Sequence, residues 1–216
     1  MRETITFVNS RGARLAGYWE VPHGNNGLYP AIVFAHGMGS GKGSPRDEAL
    51  ARELLAGGII SLRFDFTGHG DSEGTIEQAT PDQQTDDLLW AIDYAMHRPE
   101  CSGSIGLNAA DTGALPALKA ALADLRLSAL VLRSHRVDGL LQHASMINIP
   151  TLIITGTNDR NQQACKDLYD QLKVQKELAI VTGAGHLFEE PGALEKMVRQ
   201  SAEWFVEHLV PIEVKV

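Results

Sequence analysis

The chain has 216 residues, of which 44% are hydrophobic, and its formal net charge is −8 at pH 7. This length suits one domain with a full hydrophobic core and is short for two domains of ordinary size. The acidic charge argues against a nucleic-acid backbone or an anionic membrane as partner. The first residues, MRETITFVNSRG, carry charge where a signal peptide would be apolar, and no apolar run approaches the roughly 20 residues that span a bilayer, so we expect a cytoplasmic protein.

The first half of the chain alternates strand-like and helix-like segments. TITFVNS and RLAGYWEVP predict an antiparallel pair of strands, and YPAIVFAHG predicts a buried strand. SPRDEALARELLAGG has helical periodicity and ends at a glycine pair, which is typical of a helix C-terminus. IISLRFDF predicts the next strand, and the glycine-rich loop TGHGDSEG follows it. Thr80, Pro81 and Asp82 predict the start of a helix that runs to about His97.

The second half continues this alternation. The predicted strand Ser104–Ala110 runs into a tight turn with Asp111 at its apex, and an apolar helix with small residues follows at once. LSALVLRS, PTLIITGT and ELAIVTG predict three more strands, and helices are predicted near Gln162–Leu172 and from Pro191 to about Leu209. Strands that are rich in Ile, Val and Leu along their whole length indicate a mostly parallel sheet covered on both faces. We therefore predict a single α/β domain over residues 1–216.

Phosphate-binding and metal-binding motifs are excluded by their spacing. In HGMGSGKGSP, His36 stands where a P-loop needs its first glycine, and Gly43 replaces the required serine or threonine. The dinucleotide fingerprint fails as well, because Ser44 and Glu73 stand where its third glycine belongs. None of the eight histidines falls at i, i+4 spacing on one helix, and none lies in a Cys/His cluster. The sequence therefore predicts neither a cofactor nor a metal ion.

Three titratable residues follow predicted strands, at the sheet edge where doubly wound folds place their chemistry. Asp111 follows its strand immediately, Asp159 follows PTLIITGT with one residue between, and His186 lies in the loop GAGHLF after ELAIVTG. A carboxylate is ionised at neutral pH and can attack without a general base. A histidine that an acid orients can activate water. We therefore predict a catalytic constellation of Asp111, His186 and Asp159.

Several segments resemble one known family. HGMGSG, FDFTGHGDSEG, TGTND and GAGHLFEEPGALEK are similar to segments of the α/β-hydrolase superfamily, in its capless dienelactone-hydrolase-like and serine-aminopeptidase-like esterase branch. The resemblance covers nearly the whole chain and implies an α/β-hydrolase fold with a mostly parallel eight-stranded sheet and helices on both faces. It also implies that the backbone N–H groups of Met38 and Thr112 form an oxyanion hole. HRVDGLLQHASMINI, between the sixth and seventh strands, is too short for a cap domain.

One departure from the family is severe. Its G-x-S-x-G elbow reads Ala-Ala-Asp-Thr-Gly here, with Asp111 in place of the serine and Ala109 in place of the first glycine. In a first interpretation Asp111 is a nucleophile that attacks an alkyl carbon, as in the haloalkane dehalogenase and epoxide hydrolase branches, and the retained His186 and Asp159 fit it. Thr112, which stands where those branches usually have tryptophan, and the missing cap count against it.

Two other interpretations remain open. In the second, the chain is an esterase whose serine was replaced by Asp111, and activity is slow, because carboxylate attack on an acyl group gives a high-energy mixed anhydride. In the third, Asp111 pairs with His186 in a catalytically impaired or non-catalytic protein that binds a ligand or a partner. We predict a hydrolase of a small organic substrate, ester-like, lactone-like or alkyl. The expected partner is that small molecule, and the sequence is compatible with a homodimer.

Two further histidines have expected positions. His36 is predicted to support the oxyanion loop that follows it. His135 follows the sixth strand and is predicted either to reach the cleft or to lie at the surface.

Overall fold

The computed structural model describes residues 1–23, 27–136 and 141–209, without the side chains of residues 142 and 143. In this part of the chain eight strands form one sheet. They are β1 (Arg2–Val8), β2 (Arg14–Glu20), β3 (Tyr29–Ala35), β4 (Ile60–Phe64), β5 (Cys101–Ala110), β6 (Leu127–Arg133), β7 (Thr151–Gly156) and β8 (Lys176–Val181). The helices are α1 (Pro45–Ala56), α2 (Pro81–Met96), α3 (Ala114–Ala123), α4 (Gln162–Gln171) and α5 (Ala193–His208).

The strands lie in the order β1-β2-β4-β3-β5-β6-β7-β8. β2 pairs antiparallel with both β1 and β4, and all the other pairings are parallel. The predicted mostly parallel sheet of eight strands is therefore confirmed. Because β3, β5, β6 and β7 run in the same direction, their carboxyl ends lie along one edge of the sheet, as do the loops that follow them.

The sheet is covered on both faces. Val33 in β3 packs in a core that includes Leu88 of α2 and Leu118 of α3. Its neighbour Phe34 packs in a second core, together with Leu50 of α1 and Phe205 of α5. Successive side chains of a strand point to opposite faces, so the uninterrupted apolar run of β3 supplies both cores. The predicted helices on both faces are confirmed.

The helix ends follow the expected local chemistry. The Thr80 side chain accepts a hydrogen bond from the Gln83 amide at 3.2 Å, and Pro81 occupies the first helical position, as predicted for α2. α5 begins two residues later than predicted, because Gly192 has a φ of 76° and cannot belong to a right-handed helix.

The segment between β6 and β7 covers residues 134–150, a length too short for an inserted domain. It contains a short 3-10 turn over Leu141–Met146, which the sequence pattern did not predict. Residues 137–140 of this segment lie outside the described residues. Among the helices of the described ranges, none combines the length and the apolar character needed to cross a bilayer.

Candidate active site

The turn after β5 holds Asp111 in a strained conformation. Its φ of 48° lies in the left-handed region, which residues with a Cβ atom seldom adopt. A Cβ atom on Gly113 would lie 2.4 Å from the Ala35 carbonyl oxygen and 2.6 Å from that of His36. Only glycine therefore allows the start of α3 to lie so close to the end of β3. Asp111 is thus presented at the apex of a sharp strand-to-helix turn, as the sequence predicted.

The loop after β3 packs directly against Asp111. A Cβ atom on Gly37 would lie 2.8 Å from the Asp111 Cβ atom and 3.4 Å from Oδ2, so this carboxylate oxygen faces the loop. The Met38 amide that follows makes no hydrogen bond to another described residue. Thr112 lies in the 3-10 turn before α3, where helix N–H groups usually lack intrahelical acceptors. Both amides that the resemblance implicates in an oxyanion hole therefore adjoin Asp111.

His36 holds this loop in place through hydrogen bonds. Its Nε2 atom accepts a hydrogen bond from the Phe66 amide at 3.1 Å, so the proton of the neutral ring is on Nδ1. Nδ1 donates to the Gly37 carbonyl oxygen at 3.0 Å. Burial lowers the pKa of His36 and so favours the neutral ring that this pattern requires. The predicted supporting role of His36 is confirmed.

Asp159 and His186 form a hydrogen-bonded pair. The Nδ1 atom of His186 lies 3.2 Å from the Oδ1 atom of Asp159, whose side chain is fully buried. The Asn161 amide donates to Oδ1 at 2.9 Å, and the Thr155 hydroxyl donates to Oδ2 at 3.1 Å. Burial raises the pKa of Asp159, but the surrounding hydrogen bonds lower it by more, so the net pKa is below its ordinary value. An ionised Asp159 therefore orients the imidazole.

A close backbone contact brings the histidine loop to this position. A Cβ atom on Gly156, the last residue of β7, would lie 2.0 Å from the Ala184 carbonyl oxygen. The Asn158 amide donates to the same oxygen at 2.9 Å. The loop after β8 is thereby held against the loop after β7, which places His186 over Asp159.

The second ring nitrogen of His186, Nε2, lies on the side of Asp111. The Nε2 atom of His186 lies 3.9 Å from the Oδ1 atom of Asp111, which is beyond hydrogen-bonding distance. This Oδ1 atom is buried and has no hydrogen-bond partner among the residues that the structure describes. The three residues predicted as a constellation therefore lie together, and the Asp111 carboxylate is close to the imidazole but not bonded to it.

Two cavities lie beside the turn after β5. The larger, of about 440 Å³, is lined mainly by apolar groups, including Met38, Ile76 and Leu115 together with Thr112. The smaller, of about 60 Å³, is a cleft whose walls include both Asp111 and His186. Met38 lines both cavities, so both border the loop after β3.

Two arginines of the small cleft, Arg46 and Arg133, were not predicted from the sequence. Arg133 is the last residue of β6 and is buried, and it donates to the Asp47 carboxylate of α1 at 3.0 Å. A charged residue at the end of an otherwise apolar strand was the available signal for Arg133. Arg46 lies in the first turn of α1, and its sequence context, between Pro45 and Asp47, carries no signal of a cleft position.

The prediction for His135 is wrong. The residue is fully buried behind the end of β6, rather than in the cleft or at the surface. Neither ring nitrogen has a hydrogen-bond partner within the described part of the chain. Burial lowers the pKa of His135 to about 4, despite the nearby Asp159 charge, which raises it. The protein therefore holds a neutral imidazole in its core.

This buried imidazole predicts acid sensitivity of the fold. Between the ordinary pKa of 6.5 and the folded value of about 4, the unfolded chain binds a proton that the folded chain does not. The contribution of a neutral His135 is complete above pH 6.5 and is lost as the pH falls toward 4, by about 3 kcal/mol in total. Urea unfolding at pH 7 and pH 4 should show a smaller acid loss for His135→Leu. The control is His97→Leu at an exposed histidine, and an equal loss in all three proteins would contradict the prediction.

The strand order and the mostly parallel sheet with helices on both faces define the α/β-hydrolase fold. The pattern of the X-Pro dipeptidyl-peptidase family (S15) matches residues 12–140, and the chain belongs to this family. A dienelactone hydrolase from Anabaena variabilis is 29% identical, with a TM-score of 0.85 over 97% of this chain and 99% of that one. The esterase Est1E from Butyrivibrio proteoclasticus shares the fold at 19% identity, with a TM-score of 0.85 over 94% and 98% of the two chains.

A longer relative also matches. A protein of Mycobacterium tuberculosis named "Putative phosphoribosyl transferase" is 32% identical over 203 residues, which are 90% of this chain and 44% of that protein. The chain therefore spans less than half the length of this relative.

Proposed function

We propose that the chain hydrolyses small organic substrates, with Asp111 as the nucleophile and His186, oriented by Asp159, as the base that activates water. The observation that carries this proposal is the position of the Asp111 carboxylate and the lack of a hydrogen-bond donor to its Oδ1 atom among the described residues. Asp111 stands at the apex of the elbow, and its Oδ1 atom is 3.9 Å from the His186 Nε2 atom. A carboxylate without a fixed donor keeps its lone pairs for a substrate carbon.

The first step is a substitution at an alkyl carbon. An Asp111 oxygen forms a bond to the carbon as the bond to the leaving group breaks, and the leaving group departs with the electron pair. No proton moves in this step, so it needs no hydrogen bond between Asp111 and His186, and their 3.9 Å separation is suited to it. The product of the step is an ester of Asp111.

The second step hydrolyses that ester. Water attacks the Asp111 carbonyl carbon and gives a proton to the Nε2 atom of His186, and the imidazolium is stabilised by Asp159. The tetrahedral intermediate then releases the alcohol oxygen, which takes the proton from the imidazolium, and Asp111 returns to a carboxylate as its own proton passes to solvent. Oδ2 faces the oxyanion loop, so the Met38 and Thr112 amides would stabilise the negative charge on this oxygen.

The larger cavity suggests the kind of substrate. Its apolar walls of Ile76 and Leu115 would hold a hydrocarbon body, and its volume of about 440 Å³ is in the range of small-molecule sites. Hydrolysis of an ester or lactone is a second candidate function, favoured by the 29% identity to the dienelactone hydrolase. In that case water activated by His186 would attack the substrate carbonyl directly.

Isotope labelling separates nucleophilic attack by Asp111 from direct attack by water on the substrate. With enzyme in excess over a haloalkane or epoxide, in water enriched in oxygen-18, the first turnover should yield an unlabelled alcohol, and the label should appear in Asp111. Direct attack of water would place the label in the product instead. Peptide mass spectrometry of the Asp111 segment and mass spectrometry of the product measure both fates.

The Asp111→Ser variant gives a second test on haloalkanes, epoxides, aryl esters and lactones. Loss of haloalkane or epoxide activity supports the Asp111 nucleophile. A gain of ester activity would identify an esterase in which aspartate replaced the serine, and a lack of turnover by both proteins on all four classes would indicate a binding protein.

A further inference from the structure

The small cleft beside Asp111 differs from the larger cavity in size. At about 60 Å³ it admits only a group of a few heavy atoms, whereas the larger cavity of about 440 Å³ holds a substrate body. Its polar walls include the side chains of Ser40 and Arg46, next to Asp111 and His186. A substrate that spans both spaces would therefore place a small group in the cleft.

Arg46 differs from the other arginine of this cleft because it has no ion pair with a described residue. The other arginine there, Arg133, is neutralised by its ion pair with Asp47. Arg46 makes no ion pair or hydrogen bond with any residue that the structure describes, although its side chain is only partly exposed. A guanidinium is always protonated in proteins, and the N-terminal end of α1 adds a partial positive charge. The cleft therefore offers a donor and a positive charge that no described group of the protein uses.

The reaction of Asp111 produces a small anion at this place. As the carboxylate bonds to the substrate carbon, one negative charge moves from Asp111 to the leaving group. An enzyme without a cap needs some other group to stabilise that charge away from bulk water. Arg46 lines the same cleft as Asp111 and has a free fork of N–H donors.

We infer that Arg46 binds the leaving group of the Asp111 reaction, and that this leaving group is a small free anion of halide size. This inference rests on the proposed function of Asp111 as nucleophile. It narrows the substrates to alkyl compounds whose body fits the larger cavity and whose reacting carbon lies between Asp111 and Arg46, so that the halide departs on the side opposite the attacking carboxylate oxygen. Arg46 touches the departing group, so it would be a catalytic residue of the first step alone.

The test compares Arg46→Gln with Arg52→Gln, a matched control on the exposed side of the same helix. The full chain is mixed with butyl bromide or butyl chloride, and quenched-flow mass spectrometry follows the alkyl adduct on Asp111. Arg46→Gln should slow adduct formation by about 10- to 100-fold, and by more for chloride, the poorer leaving group. Decay of the adduct should be unchanged, because the anion has already left, and Arg52→Gln should match the original chain in both steps.

The outcomes separate this inference from the proposed function. If adduct forms in the Arg46→Gln variant as fast as in Arg52→Gln, the role of Arg46 is refuted and Asp111 remains the nucleophile. If Asp111 forms adducts with epoxides but with no haloalkane, the role of Arg46 is also refuted, because the leaving oxygen of an epoxide stays attached to the substrate and no free anion forms. If the original chain forms no adduct with any substrate, both proposals fail.

A binding measurement gives a readout apart from turnover. Calorimetric titration with sodium bromide should show about 10-fold weaker binding to Arg46→Gln than to Arg52→Gln. Equal affinities of the two variants, or no bromide binding by the original chain, would overturn the inference.

Discussion

The His186→Asn variant is expected to lose steady-state hydrolysis by about 10²- to 10⁴-fold while still reacting once with its substrate. Asparagine cannot accept the proton of the attacking water, so the ester of Asp111 would form and persist. The proposed first step does not use the imidazole, because in it Asp111, 3.9 Å from the ring, would attack as a carboxylate. Intact-protein mass spectrometry should therefore show one alkyl group per chain, located on Asp111 by peptide mapping.

His97→Asn is the matched control, since His97 is exposed on the far end of α2 and should leave turnover unchanged. Asp159→Asn should also slow the second step, because the amide cannot stabilise the imidazolium and can hold the wrong ring tautomer. If His186→Asn accumulates no adduct while the original chain turns over the same substrate, then water attacks the substrate directly and Asp111 is not the nucleophile.

The Arg133→Met variant is expected to lower the free energy of unfolding by about 3–5 kcal/mol, because it leaves the Asp47 charge buried and unpaired. Both side chains of this pair are about 5% exposed, and they join the end of β6 to α1 at 3.0 Å. Urea unfolding at neutral pH measures the change. Lys119→Met, which breaks the exposed ion pair with Asp82, is the control and should lower the stability far less, because water screens that pair.

A double variant separates the pair from the packing around it. Replacing both members, in Arg133→Met with Asp47→Leu, removes the unpaired charge and should restore most of the lost stability. Additive losses in the double variant would contradict this account and would show that each side chain stabilises the fold independently of the other. Because Arg133 also lines the cleft beside Asp111, activity should be measured on the double variant under conditions where it is folded.

Local sequence patterns were sufficient for most of the fold. The apolar runs of β3 and β6 predicted buried parallel strands, because a strand covered on both faces must be apolar at every position. Capping residues predicted the start of α2 for an equally local reason. The later start of α5 and the 3-10 turn at Leu141–Met146 were missed, since both depend on how the chain leaves a loop.

The candidate constellation was also accessible to sequence reasoning. Asp111, Asp159 and His186 each follow a strand of the parallel part of the sheet, and such strands end at the same edge. What the sequence could not reveal is that the Asp111 carboxylate stands near the imidazole without a bond to it. That distance depends on the close approach of Gly37 and of Gly156 to neighbouring backbones.

The sequence alone thus determined the order of strands and helices, the sheet edge that carries the chemistry and the residue types that meet there. Only the tertiary structure decided that His135 is buried, that Arg133 pairs with Asp47, and that Arg46 lines the cleft of Asp111. The physical reason is the separation in sequence over which each kind of interaction acts. Periodicity and capping act within a few residues, whereas Asp47 and Arg133 are 86 residues apart and meet only in the folded protein, where α1 packs against β4 and α5.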